Sequence, residues 1–200
     1  MTSSTKTLPQ GYAQTGEINL KKNKRLAIIL NIVALFVAIL SFITLISFAL
    51  SVRPGLMDTS VNITVGGMAI VVVLMALLLT IHELIHGVLF WVFTRSRPVF
   101  ALHLFYAYAG APDWYIPIRQ FMIIALSPLV IIGIVGMLII LLVPESWVLL
   151  IAIMVALNTG GSIGDLLVFT HLLRLSPASL ANDTGDVMTF YEFQLTIDHS

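Results

Sequence analysis

Four long apolar runs, at residues 26–50, 68–93, 121–143 and 147–173, set the hydropathy pattern of the chain, with polar or mixed sequence between them. A helix rising about 1.5 Å per residue needs roughly 20 residues to cross about 30 Å of hydrocarbon, so each run predicts a transmembrane helix. The first and third runs carry no charge, the second carries only Glu83, and the fourth carries Asp165. Residues 98–117, between the second and third runs, are rich in aromatics and contain the turn Gly110-Ala111-Pro112-Asp113. This segment predicts a short β-hairpin or a re-entrant loop. Ser127-Pro128 inside the third run predicts a kink and is assigned no chemistry. The fold expected is an all-α membrane protein: a polar tail at 1–25, a four-helix transmembrane domain at 26–174 and a second tail at 175–200.

Composition agrees with this division. With 58% hydrophobic and 10% charged residues and a mean hydropathy of +1.02, the chain has too little polar surface for a water-soluble globule of 200 residues. A net charge of zero argues against nucleic acid as a partner. The absence of cysteine excludes disulfides, thiol nucleophiles and thiolate-bound metals, which leaves His, Asp and Glu as ligands. The first apolar run is too long for the core of a signal peptide, and no A-x-A site follows it, so it is read as uncleaved. Lys21, Lys22, Lys24 and Arg25 precede the first run, and Arg95, Arg97 and Arg119 lie between the second and third. The other two connections carry only Arg53 with Asp58, and Glu145, so both termini are expected in the cytoplasm.

Within the second run stands His82-Glu83-Leu84-Ile85-His86. Two histidines four apart share a helix face and can hold one metal ion, while the intervening Glu can serve as general base toward water. A charge buried in an apolar span is costly and marks a functional site. The second and fourth helices are expected to run in the same direction. His86 lies nine residues before Arg95, and Asp165 lies nine before Arg174, which places them at a similar depth. Asp165 is therefore the expected third ligand, set against a simpler role as a protonated helix-helix hydrogen bonder. Asn158 returns to nearly the same helical face as Asp165, with Ser162 close by, in Asn158-Thr159-Gly160-Gly161-Ser162-Ile163-Gly164-Asp165. Asn158 and Ser162 are candidates for supporting the substrate or its transition state; interhelical packing is the plain alternative for Asn158. The glycines suit close backbone approach or a helix break. His171, on another face, His103, in the loop segment, and His199, near the end, compete less well as ligands. If it lies beside the metal, the 98–117 segment could accept an extended substrate along a strand edge, and its plain alternative is an interfacial aromatic anchor. Asp183, Asp186, Glu192 and Asp198 read as a solvated acidic tail.

The order of these features, His82-Glu83-Leu84-Ile85-His86, a hairpin-like segment, a Ser-Pro helix and Asn158 to Asp165, resembles the zincin-type membrane peptidases of bacteria. These are in turn similar to the site-2 intramembrane metalloproteases. The resemblance covers about residues 68–173. It implies His82, His86 and Asp165 as zinc ligands and Glu83 as catalytic base. The site-2 pattern Asn-x-x-Pro…Leu-Asp-Gly is altered here, with glycines and Ser162 in place of the prolines and Leu166 after the Asp.

The expected activity is zinc-dependent hydrolysis of peptide bonds through a metal-activated water, on a membrane-associated or transmembrane polypeptide. Two other classes use the same residues differently. A metal transporter or sensor would not need Glu83 as a base, and a non-catalytic scaffold derived from a protease would not hold stoichiometric zinc.

Overall fold

The computed structural model describes residues 3–58, 64–102, 107–185 and 187–194. The order of elements is β1 (Tyr12–Asn19), α1 (Lys24–Val52), a 3-10 turn (Pro54–Asp58), α2 (Val65–Thr94), β2 (Val99–Leu102), β3 (Ala107–Gly110), β4 (Ile116–Pro117), α3 (Ile118–Leu142), α4 (Glu145–Gly161), α5 (Ile163–Leu172), β5 (Leu180–Asp183) and β6 (Val187–Phe193). The protein is mostly helical and includes strands, which corrects the all-α expectation.

Helices α1, α2 and α3 are long and apolar enough to cross a membrane. At 29, 30 and 25 residues they exceed the length needed, and large apolar residues such as Ile32, Leu35 and Phe36 on α1 lie more than half exposed, as lipid-facing residues do. The fourth expected span is a bent pair, α4 and α5, meeting at 41°. The break follows from local sequence. Gly160 and Gly161 weaken the helix, and the backbone N–H and hydroxyl of Ser162 both donate to the Asn158 carbonyl, at 2.9 Å each, closing the last turn of α4.

The chain forms two compact units. One comprises Met1–Ala27, Glu83–Ser127 and Asp165–Ser200; the other comprises Ile28–His82 and Pro128–Gly164. In the first unit a four-stranded antiparallel sheet has the order β1-β6-β5-β4. Both segments expected as tails contribute strands to it. Ile116, Ala181 and Phe190 of this sheet are fully buried and join Phe90, Ile118, Phe121, Ile124 and Leu172 in one core. Phe90 and Phe121 meet edge to face, with ring centroids 5.7 Å apart. Within the segment expected as a hairpin or re-entrant loop, β2 and β3 pair antiparallel, from Val99↔Gly110 to Leu102↔Ala107.

In the second unit Leu45, Ala49, Ile140, Val148, Ala152, Val155 and Ala156 form the core. Small residues let the helices approach closely: a Cβ added at Gly160 would stand 2.6 Å from the Ala34 carbonyl oxygen. Arg53 ends α3 by donating through Nη1 to the carbonyls of Ile140 and Val143, at 2.9 and 2.6 Å.

Candidate metal centre

Helix α2 is uninterrupted from Val65 to Thr94, so its 3.6-residue period alone stacks His82 and His86 one turn apart on one face. The two residues are buried, with only 8% and 7% exposure. The break before α5 places Asp165 in the first turn of that short helix. His86 Nε2 lies 3.5 Å from Asp165 Oδ1. His82, His86 and Asp165 each offer one ligand-type atom, and these atoms all lie within 4.8 Å of one another.

Second partners define the histidine tautomers. His86 Nδ1 lies 3.0 Å from the Ile124 carbonyl oxygen. A carbonyl can only accept, so Nδ1 carries a proton, which leaves Nε2, on the side of Asp165, as the nitrogen that can offer a lone pair to a metal. His82 Nδ1 lies 2.9 Å from Asn158 Oδ1. The amide orientation of Asn158 is fixed because Nδ2 donates to the Pro128 carbonyl at 3.3 Å, leaving its oxygen toward His82. Thus His82 also donates from Nδ1 and presents Nε2. Two imidazole Nε2 atoms and a carboxylate, with the other imidazole nitrogens anchored to oxygen acceptors, form a donor set that fits zinc.

Glu83 belongs to the first unit, and its Oε2 accepts the Ala109 backbone N–H at 2.8 Å. This bond joins the residue between the two histidines to strand β3. Gly87, one position after His86, leaves room for the Phe100 ring of β2.

Other candidates have different places. Asn158 is buried at 3% exposure, with both amide atoms engaged as described. Ser162 is fully buried and bonds the carbonyl of Asn158. Because the helix breaks between them and Asp165, the shared-face argument across one straight helix does not hold. His171 stacks on Phe190, centroids 4.3 Å apart, within the sheet-bearing unit. His103, His199, Asp186 and Asp198 lie outside the described residues.

Asp183, expected in a solvated tail, instead closes β5. Its Oδ1 accepts the Gly185 N–H at 2.7 Å. Tyr108 of β3 packs on Gly185, and Gly110 of β3 abuts the Asp183 carbonyl. Desolvation lifts the Asp183 carboxyl from 3.8 to about 6. The Gly185 N–H and His86 lower it, while the charges of Asp165 and Glu83 raise it further. The sequence signal for this turn is Asp183-Thr184-Gly185 between apolar stretches, a hairpin pattern.

No curated protein and no solved structure matches the chain. One family pattern does match, over residues 74–180, more than half of the 200 residues and a span that contains His82, Glu83, His86 and Asp165. That family is described as "putative zincin peptidase", and the chain belongs to it.

Proposed function

We propose that this protein is a zinc-dependent membrane peptidase that hydrolyses peptide bonds of membrane-associated or transmembrane polypeptides within or next to the bilayer. The observation that carries the reading is the convergence of His82, His86 and Asp165, with both imidazoles oriented by acceptors at Nδ1. These three residues would hold the ion. Zinc, when bound, supplies a Lewis acid that brings the pKa of water toward about 7 and polarises a carbonyl.

The chain supplies the rest. Glu83 takes the proton from the attacking water and returns it to the leaving amine. The Ala109 N–H holds one oxygen of that carboxylate, which fixes where the base stands. Asn158 holds His82, and Ser162 holds the carbonyl of Asn158; both serve the frame of the site in this reading. Strand β3 bonds Glu83, so an extended substrate lying beside it would present a backbone carbonyl next to the base. The substrate must be unwound before it can lie there.

Lys24 and Arg25 at the start of α1, Arg95 and Arg97 after α2, Arg119 at the start of α3 and Arg174 after α5 support one common cytoplasmic side. The reading thus places the protein in the cell membrane, multi-pass, with both termini cytoplasmic.

The test is metal content. Purified wild type is expected to hold about one zinc per chain, the stoichiometry of a three-ligand catalytic site. His86→Ala and Asp165→Asn are each expected to lose it while staying folded. Folded wild type that takes up no zinc would overturn the reading.

A further inference from the structure

We infer that Pro128, the proline inside α3, is a positioning residue of the metal centre, which holds both histidines in the tautomer that presents Nε2. This rests on the zinc-site reading above.

Proline lacks a backbone N–H, so in a helix it leaves the carbonyl four residues earlier without its usual donor. For Pro128 that carbonyl belongs to Ile124. It accepts instead from His86 Nδ1 at 3.0 Å and from the Ser127 hydroxyl at 2.8 Å. Pro128 also offers its own carbonyl, which accepts Asn158 Nδ2 at 3.3 Å and so turns the Asn158 oxygen to His82. One residue therefore governs an acceptor for each histidine, by a missing donor on one side and a carbonyl on the other.

A proline serving only to bend the helix would free a carbonyl at any position. Here the freed carbonyl is the one that meets a candidate ligand. Pro128 is fully buried, and Ser127 and Asn158 keep 8% and 3% exposure, so these bonds are made away from solvent. In such surroundings a polar group without a partner is costly, and the acceptors exert strong control over ring orientation.

The experiment measures zinc affinity by competition with a chelator, together with the thermal midpoint of the metal-free protein. Pro128→Ala restores an N–H aimed at the Ile124 carbonyl and competes with His86. Zinc affinity should fall by roughly 10–100-fold, the usual effect of losing such an outer partner. The metal-free midpoint should stay or rise, because a helix-breaking residue is gone. Asn158→Ala should lower zinc affinity similarly, and Asn158→Asp, which keeps an oxygen toward His82, should restore it. Wild type that binds zinc, with Pro128→Ala binding it equally well, would overturn this inference alone. Wild type that binds none would overturn the zinc-site reading itself. Should Pro128→Ala not fold, the Asn158 pair decides: equal affinity of both variants with wild type overturns the inference.

Discussion

The backbone N–H of Ala109 donates to Glu83 Oε2 at 2.8 Å, so a strand edge and the proposed base of the centre are joined by one bond. A hydrogen bond to a charged acceptor contributes about 1.5–3 kcal/mol. Because the Ala109 N–H points to Glu83, it is not used in the ladder with β2, and a proline there spares the pairing. Ala109→Pro is expected to lower kcat roughly ten-fold or more with zinc content unchanged. Steady-state kinetics with metal analysis on the same preparation checks this, and an unchanged kcat would remove Ala109 from the account.

Asp183 gives a pH-dependent prediction. Its folded-state pKa, about 6, lies above the ordinary 3.8, so the folded protein binds this proton more tightly than the unfolded chain. Its contribution to stability is therefore present below about pH 4 and lost as pH rises through about 6. Asp183→Asn should leave the metal-free protein unchanged near pH 4. It should stabilise that protein by about 1–3 kcal/mol at pH 7, where the native carboxylate is ionised and poorly solvated. Thermal midpoints across that range, with metal removed, decide it; a variant less stable at pH 7 would show that Asp183 gains more from its partners than it loses to burial.

The two adjacent glycines at the end of α4 should respond differently. A Cβ at Gly160 would meet the Ala34 carbonyl oxygen at 2.6 Å and Ala38 Cβ at 2.9 Å, whereas one at Gly161 meets nothing within 4 Å. Gly160→Ala is expected to destabilise by about 1–3 kcal/mol through forced separation of α1 and α4. Gly161→Ala should change stability by less than about 0.5 kcal/mol. Equal effects in a denaturation assay would contradict the close approach at Gly160.

Much of this was legible in the chain because membrane helices and the His82/His86 pair are both set by local spacing. Hydrophobic length gave α1, α2 and α3, and helical period put the histidines on one face without any tertiary information. Matching depth pointed to Asp165, although the path to it runs through a helix break that a uniformly apolar run does not announce. The sheet was less visible. Strand β1, Tyr-Ala-Gln-Thr-Gly-Glu-Ile-Asn, has little alternation of its own and is stabilised by pairing with β6 at the other end of the chain. Asp183 was missed for the same reason, since only long-range pairing brings its turn against β3. The role of Pro128 was hidden because a kink and a freed acceptor have the same sequence signature, and only the position of His86 tells them apart.

The most direct test of the central claim compares wild type with Glu83→Gln, measuring zinc content and cleavage of a panel of co-expressed membrane polypeptides from the same cells. Glutamine keeps the shape and an acceptor for Ala109 but cannot take the proton. Zinc should remain at the wild-type level while cleavage falls by about 10²–10⁴-fold, the range for removing a general base. Zinc present in both with no cleavage that depends on Glu83 would contradict the account and leave a metal-binding protein that does not hydrolyse peptides.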